Sequence, residues 1–481
     1  MTILGIVLVL FIIYSYFNYL SKFKSFGRKS LKGPFPLPLV GNFHQLGTTR
    51  PHIPITKYHQ QYGPIYRIWM GDVYTVVVND IELVKKIMSD NTFINHPDTE
   101  TFKYYSHHFS SLVFSKEEDW VEKRDLVAGA LKKSKMKHIY ELLDGQVDKL
   151  MSCMSYHAKA GIPFTPKSNL QRFSINSMLR LVLDKELPYE YQDIEADESM
   201  ILILNQIDKV FVDLGTGKLG DYVDILRVSL RLYYNLFDKT LPSLRSTMDQ
   251  EYQQHLDTFK QEYKESPRDL IDVFINNNDE SKRPIYISMC LDLLFAGTET
   301  TSVSVEWSII SMANYPQFQE MAYQELVSVV GKDNNVTLSH RSQTPFLNAF
   351  IKESLRKGLP GAYGIPRVSS KDLEIDDYFI PKGSQLLINY HAISRNLKYW
   401  DNPETFDPTR HLTKHQEFPI WGYGARICLG QFFASDSLYL TISNILLKFK
   451  VSSIDGGLID EHDNWGLTLH PNPFKIKLAI R

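Results

Sequence analysis

The stretch Trp421-Gly-Tyr-Gly-Ala-Arg-Ile-Cys-Leu-Gly430 is the most informative part of this chain, because it places Cys428 in a glycine-rich loop. An apolar run follows the loop, and its spacing predicts a helix that continues to about Leu447. The positive end of a helix lowers the pKa of a neighbouring thiol and stabilises the thiolate, which is the form that binds a metal ion. A loop cysteine is nevertheless more often a small buried apolar residue than a ligand.

The neighbours of Cys428 favour a ligand. Gly424 and Gly430 can adopt positive φ and allow a flat cofactor to approach the backbone. Arg426 offers a planar set of donors that fits a carboxylate. A haem iron requires a thiolate from a sulfur ligand, and such a ligand favours cleavage of the O–O bond on the iron.

The stretch resembles the haem-binding signature F-x-x-G-x-R-x-C-x-G of the cytochrome P-450 monooxygenases, which it matches at Gly424, Arg426, Cys428 and Gly430. It departs from the signature at Trp421, where the family usually has phenylalanine. The resemblance implies haem b (iron protoporphyrin IX) with Cys428 as its axial ligand. It also implies one large haem-thiolate domain, mainly α with small β-sheets.

A second motif, Ala296-Gly-Thr-Glu-Thr-Thr301, lies in a helical run that is opened by Pro284 and closed by Asn314. The residues alone favour a close helix contact at Gly297 and threonine hydroxyls bonded to the preceding turn. Beside Cys428, the motif resembles the family's oxygen-binding segment, a distorted helix that crosses the distal face of the haem. The resemblance implies that Glu299 and Thr300 are the catalytic acid and alcohol that relay protons.

A third motif, Glu353-Ser-Leu-Arg356, is by itself a charge pair that usually marks a solvated helix face. It resembles the family's E-x-x-R, which pairs with a later arginine, here Arg410. Thr409 and His411 depart from the family pattern around that arginine. The implied role of Glu353, Arg356 and Arg410 is structural.

Trp120 and Arg124 are four residues apart and therefore share a helix face. They resemble the family's W-x-x-x-R, whose members bond a haem propionate. Arg367 resembles another propionate partner, although an exposed surface arginine stays open because only Pro366 supports the match. Together with Arg426, these residues form a cationic set around two carboxylates.

Composition excludes several other classes of protein. The chain has 481 residues, of which 43% are hydrophobic and 12% aromatic, and a formal net charge of -2. It can bury a large core, and it has no basic field for nucleic acid. Three widely spaced cysteines argue against a disulfide framework or a structural zinc site.

The first 20 residues are predicted to form a membrane anchor, because residues 3–14 are uncharged and the apolar character continues to Leu20. A cleaved signal peptide fits less well, since a charged start and a cleavage site are missing. Residues 21–38 form a basic and proline-rich linker, and the positive-inside rule places the domain at 39–481 on the cytosolic face. The expected location is the membrane of the endoplasmic reticulum.

The rest of the chain reads as one domain. Two β-rich runs around Gly71-Asp72 predict a hairpin, residues 117–316 are mainly helical with interruptions at four prolines, and short strands return near 373–380 and 385–390. The four prolines are Pro163, Pro188, Pro242 and Pro267. By family analogy the substrate pocket is lined by residues near 100–114, 205–215, 290–300, 361–366 and 465–469.

Two patterns resemble binding motifs but are interpreted as ordinary loop and surface residues. Gly215-Thr-Gly-Lys-Leu-Gly220 fits a dinucleotide-binding loop, but the surrounding helical periodicity favours an ordinary loop above the pocket. His411 and His415 have the spacing of metal ligands, but no third ligand joins them, so both are predicted to be surface histidines.

The resemblance implies insertion of one oxygen atom from dioxygen into a hydrophobic small molecule. Electrons would come from NADPH through a separate NADPH-cytochrome P-450 reductase, with cytochrome b5 as a further candidate donor. Two alternatives remain: an oxygen-independent isomerase or dehydratase on the same fold, and a non-catalytic haem-binding membrane protein. The substrate stays open among sterols, fatty acids and foreign compounds.

Overall fold

Helices make up most of the chain in the computed structural model, which describes residues 3–23, 31–47, 49–131, 137–188, 198–413 and 418–481. The helices are α1 (Ile3–Phe23), α2 (Phe43–Leu46), α3 (His52–Tyr62), α4 (Ile81–Met88), α5 (Glu100–Tyr105), α6 (Glu117–Ala130), α7 (Lys137–Ala160), α8 (Pro166–Leu183), α9 (Glu198–Thr216), α10 (Leu219–Tyr222), α11 (Arg227–Leu236), α12 (Thr240–Thr258), α13 (Leu270–Asn276), α14 (Arg283–Asn314), α15 (Pro316–Val330), α16 (Pro345–Lys357), α17 (Tyr390–Ile393), α18 (Arg410–Thr413) and α19 (Gln431–Lys448). Short 3-10 turns connect several of them. The predicted fold class, mainly α with small β-sheets, is confirmed.

The strands form small sheets. They are β1 (Ile65–Met70), β2 (Val73–Val78), β3 (Arg367–Val368), β4 (Leu373–Ile375), β5 (Tyr378–Ile380), β6 (Gln385–Ile388), β7 (Phe449–Ser453), β8 (Asp463–Asn464), β9 (His470–Pro471) and β10 (Ile476–Ile480). The largest sheet has the order β1-β2-β6-β3. The predicted hairpin is β1 with β2, paired antiparallel from Ile65 opposite Val78 to Met70 opposite Val73.

The helix α14 runs through the largest apolar cluster, together with residues of α7, α15, α16 and α19. Pro284 lies in its first turn and Pro316 begins the next helix, so the predicted bounds are confirmed. At Gly297 a Cβ atom would lie 2.3 Å from the sulfur of Met178 in α8. The glycine therefore permits the close helix contact that the residues alone had favoured.

The four prolines act in two ways. Pro163 and Pro188 follow the ends of α7 and α8, and Pro267 lies in the segment before α13, so these three interrupt helices as predicted. Pro242 instead lies in the first turn of α12, where a missing N–H costs nothing.

The amino-terminal helix α1 has 21 residues. Its apolar side chains include exposed Leu10, Phe11 and Phe17, and Asn18 donates from its side chain to Asp72 in the hairpin turn at 2.8 Å. Counting only the residues that the structure describes, no helix combines the length and the apolar character needed to cross a bilayer. Much of the predicted basic linker, residues 24–30, lies outside the described residues.

Candidate haem-binding site

The loop that precedes α19 is held in place from two sides. The Cys428 N–H donates to the carbonyl oxygen of Trp421 at 2.8 Å. Arg124 of α6 donates to the carbonyl oxygen of Ile427 at 2.8 Å. Cys428 is exposed, although protein atoms surround it closely. A side chain that is both surrounded and exposed lines a recess.

The thiol of Cys428 does not have the lowered pKa that the sequence predicts. Burial raises this pKa above its usual value, and the Gly430 N–H and the Arg124 charge lower it by less. The helix start acts in the predicted direction, but desolvation of the thiolate is the larger effect. A bound metal ion deprotonates a coordinating thiol outright, so ligation does not need a low thiol pKa beforehand.

The two glycines of the loop differ. Gly424 has φ +74, and a Cβ atom there would lie 2.1 Å from the carbonyl oxygen of Met88 at the end of α4. Gly424 therefore lets the loop approach the backbone of α4 closely. Gly430 caps α19 with φ -84, so the prediction of a positive φ is wrong there.

Arg426 is enclosed by backbone carbonyls. Its guanidinium donates to Ile94 at 3.0 Å, to Val113 at 2.8 Å and to Ser115. It also lies over the ring of Trp120, 4.1 Å from the centroid. A guanidinium has five N–H bonds, so Arg426 keeps two that these contacts do not use.

Arg367 in β3 contacts a buried histidine, and the surface-arginine alternative is therefore wrong. Its guanidinium lies 2.7 Å from Nε2 of His96. Nδ1 of His96 lies 2.8 Å from the carbonyl oxygen of Pro366, which assigns the ring hydrogen to Nδ1. Burial, with the charges of Arg367 and Arg426, holds the pKa of His96 well below its usual range. His96 is thus a neutral acceptor for Arg367.

Arg124, Arg367 and Arg426 form a group that we call the arginine trio. Burial, together with the charges of Arg367 and Arg124, lowers the pKa of Arg426 to about 8. Burial likewise lowers the pKa of Arg367 to about 10. Across the described ranges, no carboxylate lies within ion-pair distance of the trio. Half-buried cations without such a partner fit a cofactor that brings carboxylates, and Cys428 beside them fits its metal.

On α14, Ala296 and Thr300 lie one turn apart and are both exposed, whereas Thr298, Glu299 and Thr301 are buried. An exposed strip in the middle of a buried helix faces an internal opening. The hydroxyl of Thr300 donates to the Ala296 carbonyl at 2.7 Å. The helix continues without interruption from residue 283 to 314.

Glu299 does not share that strip with Thr300. Its carboxylate is buried and accepts from the side chain of Gln171 at 2.7 Å. Its second oxygen lies 2.7 Å from Nε2 of His470. Successive residues of a helix point about 100° apart, so the acid lies behind the strip that carries the alcohol.

The Glu353 cluster consists of Glu353, Arg356, Arg410 and His411. Arg356 donates two bonds of 2.8 Å to the Glu353 carboxylate, and Arg410 and His411 add bonds of 3.2 and 2.9 Å. Burial alone would raise the pKa of Glu353, but the bonds from Arg356 and His411 outweigh it and lower this pKa to about 2. Glu353 and Arg356 are fully buried, so the solvated-face alternative is wrong.

The prediction that His411 is a surface histidine is wrong. Its side chain is only 5% exposed, so it is a member of this cluster and not a surface histidine. Loop residues on both sides gave no sign of burial. His415 lies outside the described residues.

A largely apolar cavity of about 330 Å³ lies between the sheet and the α9–α10 connection. Its lining includes Phe102, Leu214, Tyr363 and Trp465. Four of the five predicted pocket stretches contribute to it, and residues 290–300 do not.

The glycine-containing segment 215–220 contributes to the wall of this cavity. Gly215 lies in the last turn of α9, where a Cβ atom would be 1.8 Å from the backbone nitrogen of Leu467. The apolar run before it is helical, so the strand that a dinucleotide-binding loop requires is not there. The interpretation as a connection above the pocket is consistent with this placement.

Sequence reasoning missed three residues of the site: His96, Gln171 and His470. Each meets its partner across more than a hundred residues of chain. No local pattern marks such contacts, since a lone histidine or glutamine occurs in many surroundings.

The chain is similar to proteins of one family. The sequence profile described as cytochrome P-450 matches residues 31–478. Among curated relatives, the probable cytochrome P-450 508A1 of Dictyostelium discoideum is 38% identical over 493 residues, which cover 100% of both chains. The probable cytochrome P-450 508A4 of the same organism is 36% identical over 504 residues, covering 100% of this chain and 99% of the relative.

A solved structure shares the fold. It is a zebra fish cytochrome P-450 in a structure with abiraterone, and it superposes with a TM-score of 0.75. The match covers 90% of this chain and 99% of that chain at 24% sequence identity.

Proposed function

Since the chain belongs to the cytochrome P-450 family, and is thus a monooxygenase whose haem iron has a cysteine thiolate ligand, we propose that Cys428 is that ligand. The observation that carries this proposal is the exposed cysteine beside the arginine trio. The proposed reaction is insertion of one atom of dioxygen into a hydrophobic small molecule. When bound, the haem supplies the iron on which dioxygen is activated.

The residues proposed to hold the haem act in two ways. Arg367 and Arg426 keep N–H donors for its carboxylates, and charge-assisted bonds of this kind are about twice as strong as neutral ones. Arg124 and Trp120 position neighbouring groups of the site. Arg124 donates to the backbone beside Cys428, and Trp120 packs on Arg426. Gly424 and Gly430 shape the loop.

The distal residues are proposed to move protons. Thr300 presents a hydroxyl on the exposed strip of α14, and its bond to the Ala296 carbonyl fixes the direction of its hydrogen. Glu299, one residue earlier, is the proposed proton donor behind the strip. A turn of its side chain, or a water molecule, would connect the two groups.

The proposed substrate enters through the apolar cavity. Its volume of about 330 Å³ is at the lower end of small-molecule pockets. Aromatic and aliphatic side chains dominate its wall, which favours a hydrophobic compound of modest size.

A separate reductase that takes electrons from NADPH is the proposed partner, with cytochrome b5 as a second donor. The proposed location is the membrane of the endoplasmic reticulum, with residues 1–20 as anchor and the domain at 39–481 in the cytosol. Exposed apolar side chains on α1 support an interaction with lipid. An apolar strip on α11, which includes Val228, Leu232 and Leu236, adds to it.

The oxygen-independent enzyme and the non-catalytic haem protein are not favoured, because the family is one of monooxygenases. The test is oxygen consumption by the purified protein with reductase, NADPH and a compound that changes its haem absorption spectrum. We expect product that contains one oxygen atom from labelled dioxygen. Unchanged turnover of that compound without dioxygen would contradict the proposal.

Thr300→Ala provides the residue-level test. The variant should still consume oxygen, but most of it should appear as hydrogen peroxide instead of oxidised product, because a positioned donor is lost. Thr298→Ala is the matched control, since Thr298 makes the same kind of backbone bond but is buried on another face. Equal coupling in wild type and Thr300→Ala would refute the role of Thr300.

A further inference from the structure

A chain of polar side chains lies behind α14, on the side away from the exposed strip. Nε2 of His470 in β9 lies 2.7 Å from Glu299. The side-chain amide of Gln171 in α8 donates to Glu299 at 2.7 Å and to Asp208 in α9 at 3.0 Å. One carboxylate of α14 is thus connected to residues of three other elements.

A second carboxylate of α14 faces the same histidine. Glu306 follows Glu299 by two helical turns, and its Oε1 lies 3.7 Å from Nδ1 of His470. Both atoms are buried, and neither has a hydrogen-bond partner. The separation is too long for a hydrogen bond, but a small rotation of the ring would close it.

The charges around His470 favour its protonated form. Burial opposes a charge on the ring, but the contacts with Glu299 and Glu306 outweigh it and raise the pKa of His470 to about 9. Lys167 in α8 is the other cation near this group, and it pairs with Asp208 at 2.8 Å. At neutral pH, His470 therefore carries a hydrogen on both ring nitrogens.

A metal ion is the alternative occupant, because ligand atoms of Asp208, Glu299 and His470 lie within 4.8 Å of one another. The donors already present argue against it. Gln171 bonds both carboxylates, and Lys167 bonds Asp208. A metal ion would have to displace these donors and the hydrogen of His470, whereas a proton requires no rearrangement.

We propose that His470 is a positioning residue that supplies protons to Glu299, an inference that rests on the proposed function of Glu299 and Thr300. One proton passes from Nε2 of His470 to Oε2 of Glu299, and a charged pair becomes a neutral pair. When Glu299 gives its proton to the site, one proton from solvent restores His470. Gln171 holds the other oxygen of Glu299 and carries no proton itself.

The path back to solvent leads through Asp208. The side chains of Asp208 and Lys167 are 33% and 38% exposed. The ligand atoms of Asp208 and His470 are within 4.8 Å, a gap that one water molecule can bridge. Asp208 is thus the outer member of the path, and His470 the inner one.

The first test measures the histidine directly. Protein labelled with 15N-histidine is titrated as the diamagnetic ferrous carbon monoxide complex, and the His470 signal is assigned by its absence in His470→Gln. We expect a protonated ring at neutral pH with a midpoint near 9. Glu299→Gln should move that midpoint down towards the ordinary histidine value. A neutral His470 at pH 7 would overturn the inference.

The second test measures how dioxygen is reduced with reductase and NADPH and no organic substrate. Complete reduction of dioxygen gives two water molecules and takes four protons, whereas hydrogen peroxide takes two. In His470→Gln, the share that becomes water should fall by about a hundredfold, at the low end of what a positioned proton donor contributes. In wild type the share should fall as the pH rises through the pKa of His470, and the variant should lose that dependence.

His255→Gln is the matched control, because His255 also forms a buried pair, with Asp269 at 2.8 Å, but does not contact Glu299. If His470→Gln and His255→Gln lower the share of dioxygen that becomes water equally, His470 has a structural role and the inference is overturned. Failure of the proposed function would appear differently. If Glu299 and Thr300 do not relay protons, Thr300→Ala would keep the coupling of wild type, while the titration of His470 would be unchanged.

Discussion

The Glu353 cluster and the arginine trio are both groups of arginines with little or partial exposure, but among the described residues only the first contains its own anion. In the Glu353 cluster, two arginines and His411 surround one carboxylate. The trio is bonded to carbonyl oxygens and to a neutral histidine, and burial together with mutual repulsion lowers its pKa values. The cluster is complete as folded, whereas the trio becomes complete only with a bound carboxylate.

From this difference we infer that the Glu353 cluster stabilises the fold and that the arginine trio holds the cofactor. A buried ion pair is costly to break once it is formed, since the partner left behind is a buried charge. Loss of Glu353, or of an arginine that it pairs with, should therefore lower the free energy of unfolding. Loss of a member of the trio should release haem and leave the fold in place.

Glu353→Gln should have the largest effect. It leaves Arg356 and Arg410 buried without their anion, which should cost about 3 to 5 kcal/mol of unfolding free energy. Urea denaturation followed by circular dichroism measures this loss. Glu404→Gln is the control, because Glu404 also pairs with a cation, Lys357, but its side chain is 68% exposed. This variant should change the free energy of unfolding by about 1 kcal/mol at most. Equal losses of unfolding free energy in Glu353→Gln and Glu404→Gln would contradict the structural role of the Glu353 cluster.

Arg426→Gln should have the next largest effect, and on a different quantity. The variant keeps its circular dichroism spectrum but should bind haem about 10 to 100 times more weakly, the usual cost of losing a group that supports a metal site. The ratio of haem absorbance to protein absorbance measures it. Arg341→Gln, which breaks a pair with Asp436 on α19, should retain haem. An Arg426 variant that retains haem fully would contradict the assignment of the trio.

His411→Asn should have the smallest effect. Arg356 still bonds both oxygens of Glu353, so the loss should be about 1 kcal/mol. The control is His462→Asn, because His462 is an exposed histidine beside Asp460. Urea denaturation of both variants compares their losses of unfolding free energy. No difference between the two variants would return His411 to the surface role that the sequence predicts.

Local features of the site were predictable from sequence because each depends on neighbours in the chain. The cysteine loop, the helix after it and the Thr300 segment are defined by spacing and turn chemistry over a few residues. Which side of α14 the acid occupies was not predictable, because Glu299 is positioned by Gln171 and His470 from distant elements. The thiol pKa of Cys428 was mispredicted for a similar reason, since burial by distant residues outweighs the local helix start.

The ligation of haem by Cys428 is tested most directly by the absorption spectrum of the reduced carbon monoxide complex. Wild type should show the band characteristic of a thiolate ligand. Cys428→His should retain some haem through the arginine trio but lose that band. Persistence of the band in Cys428→His would show that another group ligates the iron and would contradict the assignment of Cys428.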